Sequence, residues 1–418
     1  MTDSAPETTA QQAADLQDER LIRSEGLGGA IRGFGRRVRG GDLGSLPVVV
    51  GLIVIWAVFQ ILNPLFLSAS NLVQLTLQCV AVGTISIGIV LVLLLGQIDL
   101  SVGSVSGLSA AILGVGFVQM HWPLVVAALA ALAAGAVVGL IYGLLFTRFG
   151  VPSFVITLAG LLGFLGLQLW VLGPNSSINI PFNSWLVTFS QQTFLPPWAA
   201  YALSAIAAIG LFVSDWRRSV RRRAAGLSVG SMTVATVKAA LLLVALCAVT
   251  WYLATDSGVG ASFVLFVVLV VVMNFFLTRT RWGRSVFAVG GSVEAARRAG
   301  IKVNRIYISV FILCSTFAAL GGLLAAARLA SASASSGGTD TNLNAIAAAV
   351  IGGTSLFGGR GSAWSALLGI LVIQSISSGL TLLSLDSSVR YMITGAVTLL
   401  AVIIDSLSRR SRASHGQA

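Results

Sequence analysis

An all-α polytopic membrane fold of about 12 hydrophobic spans is what this sequence predicts, and three observations carry it. Hydrophobic residues make up 56% of the 418 positions and charged residues only 10%, against about 25% charged in a soluble domain. Apolar runs of roughly 20 residues, the length that crosses a bilayer, recur from position 46 to 407. The 46 glycines suit closely packed membrane helices, where small residues let backbones approach.

In chain order, residues 1–44 come first. They alternate acids and bases and hold no apolar stretch behind a short basic start, so they predict a disordered cytosolic tail and not a signal peptide. A membrane-spanning domain follows over 45–408, and 409–418 form a second cytosolic tail. The spans fall at 46–66, 71–96, 100–118, 123–147, 152–172, 197–214, 238–255, 261–278, 306–328, 345–359, 363–384 and 388–407. Counted as true transmembrane helices they number 10–12, because the tenth, AIAAAVIGGTSLFGG, is short and Gly-broken and reads as a half-helix or re-entrant segment.

Charge sets the orientation. With the N-terminus inside, Arg148, the cluster Arg217, Arg218, Arg221, Arg222 and Arg223, the bases of 279–305, Arg360, and Arg409, Arg410 and Arg412 are all cytosolic. Only Arg328 and Arg390, of 26 Lys and Arg, then face outward. The positive-inside rule therefore places both termini in the cytosol and explains the net charge of +12 without nucleic acid. The outward loops 173–196 and 331–344 are rich in amides and hydroxyls, which suits a neutral polar solute, a docking protein or simple solvation. Cys79, Cys247 and Cys314 lie in apolar spans without CxxC spacing and read as packing residues. So do the glycine ladders Gly135, Gly139, Gly143 and Gly160, Gly163, Gly166.

Three stretches stand out. The cytosolic loop RTRWGRSVFAVGGSVEAARRAGIKVNR (279–305) contains a break at Gly290 and Gly291, an N-cap at Ser292 and an acid, Glu294, in the first turn. Ala295, Ala296 and Ala299 favour helix, Arg297 and Arg298 close it, and Gly300 stops it. A two-turn helix so bounded reads as a peg for another protein, or as an ordinary amphipathic loop. The stretch GQIDLSVGS (96–104) holds Gly96, Asp99, Ser101, Gly103 and Ser104. The span pattern puts it at a cytosolic turn, where Asp99 caps the next helix by accepting from the amide of Ser101 or Val102. A second glycine-rich turn, GGTSLFGGRGS (352–362), carries Gly352, Gly353, Gly358, Gly359 and Gly361 and is also expected to be cytosolic. The two turns and their helix pairs read as parallel repeats around a pathway. Asn71, Gln74 and Gln78, about one helical turn apart, are pathway candidates, with Thr157 and Gln374 behind them; interhelical hydrogen bonding is the alternative.

The sequence holds no GxxxxGK[ST] phosphate loop, no HExxH and no paired carboxylates or Ser/His/Asp set. His121 and His415 read as solvated surface. No catalytic residue, metal site or cofactor site is assigned.

Together the three stretches, in this order and spacing, resemble the permease subunits of bacterial sugar ABC importers of the ribose, xylose, arabinose and galactoside group. The resemblance covers most of 46–407. It implies a bacterial cytoplasmic (inner) membrane location and the 279–305 loop seated in a separate ABC ATPase subunit, which carries ATP and Mg. It also implies an extracytoplasmic sugar-binding protein and a second permease copy. The chain departs at Gln97, where the family more often has Gly, and at Ser292, where it has Asn. An extra hairpin near 197–255 is similar to xylose-type permeases and points to D-xylose or a related monosaccharide. The rival readings are an ion-coupled secondary transporter, for which Asp99 is the sole intramembrane carboxylate candidate, and a polytopic glycosyltransferase, which needs an acidic catalytic loop.

Overall fold

The computed structural model describes residues 46–225, 231–386, 388–389, 391–397, 399 and 403. The two predicted tails and much of the last predicted span, 388–407, lie outside the described residues. The described chain is almost entirely helical. It opens with α1 (Leu46–Leu62) and α2 (Ala69–Leu94), the latter capped by Ser68, whose hydroxyl accepts from the Asn71 amide. Next come α3 (Val102–Gly114), which runs on as a π-turn to Gln119, and α4 (Leu124–Phe149), which ends at Gly150 in the left-handed region. After α5 (Ser153–Leu172), the supposed loop 173–196 contains strand β1 (Ser177–Asn179) and helix α6 (Trp185–Gln191). The chain continues with α7 (Pro197–Ala224), α8 (Met232–Leu253), α9 (Ala261–Arg279), α10 (Arg281–Gly291) and α11 (Val293–Arg298). It closes with α12 (Val303–Leu329), β2 (Ser331–Ser333), α13 (Thr339–Ile351) and α14 (Trp364–Leu382). Strands β1 and β2 pair antiparallel, with Ile178 opposite Ala332.

Among the described residues nine helices are long and apolar enough to cross a membrane, against the 10–12 expected over the whole chain. α1, at 17 residues, falls just short, and the tenth expected span is the 13-residue helix α13 followed by glycine turns. The chain divides into two compact units. In one, residues 195–259, α7 and α8 pair as a hairpin, and the hydroxyls of Ser204 and Thr250 meet at 3.4 Å. Here α7 extends past the predicted end at 214 to carry the arginine cluster, since Arg is a good helix former.

In the other unit α2 and α12 form the centre. Of the most apolar window of α2, 83% is buried inside the protein. By contrast only 22% of the α5 window is buried, which leaves α5 at the periphery. Gly135, Gly139 and Gly143 of α4 face Ser315 and Ala319, Phe311 and Ile312, and Ile308 of α12, a close-packed helix pair of the small-residue kind. The second ladder does not behave this way. Gly160 touches Tyr142, but a side chain at Gly163 or Gly166 would meet nothing within 4 Å, because that face of α5 points out of the chain.

Two breaks in the helical pattern shape the interior. After α2, Gly96 turns with φ +69° and residues 97–101 run back between helices without helical hydrogen bonds. The Gln97 amide donates to the Val92 carbonyl at 3.1 Å, and the Ile98 amide to Ser153 Oγ at 3.5 Å. The Ile98 carbonyl accepts from Thr157 Oγ1, that of Leu100 from Asn342 Nδ2, and the Ser101 amide donates to Asp99 Oδ1 at 2.8 Å. Irregular backbone survives inside a membrane protein only when its polar groups are met in this way. The second break, 334–338, is met likewise: Gln168 Nε2 donates to the carbonyls of Ser333 (3.0 Å) and Ser336 (2.9 Å).

Each break lies along the helix that follows the other. Ala332 packs on Gly114 and Gly337 on Gly103, so 331–338 runs antiparallel to α3. Asn342 and Ala345 of α13 bond to Leu100 and to Ser86 of α2. α3 and α13, each 13 residues long, thus start at the same depth and run in opposite directions. This arrangement corrects two expectations. The counterpart of the 96–104 stretch is 334–338 in an inverted sense, not a parallel repeat at 352–362. And Asp99 is not at a surface turn: it is 1% exposed and touches Cys314, eleven residues past Val303, about 16 Å along α12. Gly103 and Ser104 belong to the helix and not to a turn.

Candidate functional site

The three singled-out stretches, far apart in sequence, meet at the end of α2. The Gly359 amide donates to the Leu94 carbonyl at 2.8 Å. A Cβ at Gly290 would overlap that same carbonyl oxygen and lie 2.8 Å from the Gly359 nitrogen. One at Gly358 would lie 2.8 Å from the Gly290 oxygen and 2.9 Å from the Gly96 nitrogen. Gly96, Gly290, Gly358 and Gly359 therefore form a backbone-to-backbone junction that side chains would force apart, with Gly291 beside it on the open side. Gly353, Gly358, Gly359 and Gly361 all take positive φ in the turns from α13 to α14, and Gly352 ends α13 against the backbone of Ser365.

From this junction hangs a surface element. α10 is capped by Thr280, which accepts from the Gly283 amide at 3.1 Å, and is tied to α12 by Trp282 Nε1 donating to Ser309 Oγ at 2.9 Å. α10 was not legible in the sequence because its short apolar run, Val286 to Val289, is flanked by Gly283, Gly290 and Gly291, which read as loop. α11 follows, with Ser292 Oγ accepting from the Ala295 amide at 3.3 Å and Gly300 turning the chain at φ +79°. Ala296 is buried and Val293 packs half-buried on the core, while Glu294, Ala295, Arg297 and Arg298 are exposed. The Glu294–Arg298 pair at 3.7 Å is more than 80% exposed on both sides, so it contributes little stability and leaves both side chains available.

Deeper in, Asp99 anchors a buried polar chain. Its Oδ1 accepts from the Ser101 amide (2.8 Å) and the Ser101 hydroxyl (2.7 Å), and Cys314 Sγ donates to Oδ2 at 3.8 Å. Tyr142 OH donates to Ser101 Oγ at 2.8 Å. No basic side chain pairs with this carboxylate among the described residues. Tyr142 and Cys314 were missed from sequence; the one available signal was a tyrosine set in the glycine face of α4, between Gly139 and Gly143.

The pathway candidates separate. Asn71 is consumed in a joint: Nδ2 donates to the Phe66 carbonyl at 2.7 Å, and its Oδ1 accepts from Ser378 of α14 at 2.9 Å. Thr157 donates to the Ser153 carbonyl at 3.0 Å and serves the 97–101 break. Gln74 is exposed on α2, with Gln78 half-buried one turn further along. Gln374 is half-buried on α14.

Long apolar helices around two opposed half-helices, with an exposed helix projecting from a glycine junction, are the architecture of a polytopic membrane protein. The chain belongs to the family described as branched-chain amino acid transport system / permease component, whose model matches residues 71–402. It is 34% identical over 345 residues to the xylose transport system permease protein XylH of Escherichia coli (strain K12), covering 82% of this chain and 87% of that one. It is 31% identical to the ribose import permease protein RbsC of Escherichia coli (strain K12), over 86% of this chain and 92% of the relative. The fructose import permease protein FrcC of Rhizobium meliloti is also 31% identical, over 88% and 86% respectively. No solved structure matches. The chain is a multi-pass transport subunit, not an enzyme.

Proposed function

We propose that this chain is the membrane-spanning subunit of an ATP-driven monosaccharide importer in a bacterial cytoplasmic membrane, with D-xylose or a related sugar as cargo. The observation that carries the sugar is the run of relatives named for xylose, ribose and fructose, each aligned over more than four-fifths of this chain. The end bearing Arg148, Arg279 and α10–α11 faces the cytosol under the positive-inside rule. There α11 offers Glu294, Ala295 and Arg297 to an ABC ATPase subunit, which binds ATP and Mg. A binding protein delivers the sugar at the opposite end, and two copies of the chain enclose the path.

Reconstitution with its cognate ATPase and binding protein in liposomes tests this reading. ATP-dependent uptake of D-xylose is expected, and Ala295→Trp, which adds bulk to an exposed face without touching the core, should reduce it at least tenfold. Uptake that persists without ATP but collapses with an uncoupler would favour the ion-coupled alternative. Uptake and ATP hydrolysis unaltered by Ala295→Trp would remove α11 as the docking element.

A further inference from the structure

At the end of the bundle opposite the glycine junction, Arg328 stands in the last turn of α12. A cation there is out of keeping with a chain that gathers its bases at the other end, and no carboxylate pairs with it among the described residues. Its Nη2 donates to Gln74 Oε1 at 3.0 Å. Gln191 of α6 holds the same turn, donating to the carbonyls of Ala327 (3.2 Å) and Arg328 (2.8 Å). These three side chains, with Leu77 and Leu329, line a cavity of about 250 Å³.

In line with the cavity, one face of α2 is less buried than the rest of the helix. That helix is buried almost throughout from Val73 to Leu94, yet Gln74 is exposed and Gln78, Ala81 and Val82 are half-open. Gln74, Gln78, Ala81 and Val82 share one helical face, which is polar at its mouth and apolar further in, while Thr76 is half-open on another. A guanidinium offers five donors in a plane and an amide offers both donor and acceptor, a set that can bridge adjacent hydroxyls of a sugar ring. With no acid lining it, the cavity offers no ligand set for a divalent cation.

We infer that Arg328 and Gln74, held in register by Gln191, form a monosaccharide-binding site at the outer mouth of the path, with Gln78 as the next polar contact inward. This inference rests on the sugar-permease reading and deepens it. Its chemistry is a neutral polyhydroxylated ligand, bound by hydrogen bonds weak enough to release it inward.

The test uses the complete importer in proteoliposomes, with D-xylose as probe and with sugar uptake and ATP hydrolysis measured side by side. Arg328→Ala and Gln74→Leu are each expected to lower uptake about tenfold, equivalent to about 1.4 kcal/mol, with sugar-stimulated ATP hydrolysis within about twofold of wild type. Arg328→Lys should recover only part of the loss, because a point charge lacks the planar fork. Gln74→Leu, on an exposed position, stands in if the arginine variant fails to assemble. Uptake and hydrolysis falling together would assign Arg328 to structure or docking and overturn the site. So would a defect confined to liposomes with anionic lipid, which would make Arg328 a headgroup anchor. If wild type takes up sugar and both variants match it, the permease reading stands and this site falls. If wild type takes up no sugar under ATP, the permease reading itself fails.

Discussion

Replacing Asp99 with alanine removes both acceptors from a site that is 1% exposed. The Ser101 amide, bonded at 2.8 Å, and the Ser101 hydroxyl, at 2.7 Å, would then point at nothing. Because Tyr142 already donates into Ser101 Oγ, that hydroxyl cannot simply turn to Tyr142 for an acceptor. Each orphaned buried donor costs about 1–3 kcal/mol, so the variant should lose about 2–6 kcal/mol. Asp99→Asn keeps an acceptor at Oδ1 and turns an amide toward Cys314. It loses charge assistance on two bonds, about 1–2 kcal/mol, but no longer holds a carboxylate out of water without a cation beside it. The two terms oppose, and the net change should be small. Thermal unfolding of the purified protein in detergent, followed by tryptophan fluorescence, reads the difference. Asp99→Ala should melt well below wild type and Asp99→Asn close to it. An alanine variant that melts like wild type would refute the claim that this network holds the 97–101 break. Unaltered uptake by Asp99→Asn would further show that charge at this position has no part in transport.

Other outcomes follow from the same geometry. A methyl group at Gly103 would sit 2.7 Å from the Gly337 oxygen, inside the roughly 3.3 Å of a close C–H···O contact. Gly103→Ala should therefore cost about 1–3 kcal/mol by overpacking, read as a lowered melting temperature. Gly163→Ala meets open space and should hold or raise stability by up to about 1 kcal/mol through helix propensity; a loss there equal to that of Gly103→Ala would mean that another molecule covers α5. Tyr142→Phe removes one hydrogen bond and keeps the ring against Phe164 and Phe311, so a loss of about 0.5–1.5 kcal/mol is expected in the same melt.

The membrane class and most spans were legible because apolar length is a property of the sequence alone, needing no partner to interpret. The bounds of α11 were legible for a similar reason: Ser292 and Gly300 act on their own neighbours. What sequence could not show was depth. GQIDLSVGS reads as a surface turn because polar residues between apolar runs normally seek water. Here water is replaced by Ser153, Thr157 and Asn342, which come from 55 to 242 positions away and carry no local mark of that duty. The short helix α10 was hidden by glycines that look like loop and serve as contact surface. Arg328 was visible only as an exception to a charge count, and its glutamine neighbours became a cluster once α2, α6 and α12 came together.

The glycine junction explains why these separate motifs belong to one device. α11 anchors only through Ala296 and the half-buried Val293, and its chain leads directly back into α10 and the Gly290 contact. That contact bears on the Leu94 carbonyl, which also receives the Gly359 amide, so the end of α2 is joined directly to the turn after α13. One residue further, Gly96 starts the break that carries Asp99 and leads into α3, whose first turn lies against Gly337 before α13. Both half-helices thus have one end or approach fixed at the junction and the other against its counterpart. Cores of this density shift between discrete packings instead of deforming smoothly. A push at α11 therefore has a short backbone route to the two helices whose breaks lie within the membrane. Widening the junction by Gly290→Ala should weaken uptake more than it weakens ATPase association. Equal losses in pull-down and in uptake would show instead that the junction only shapes the docking surface.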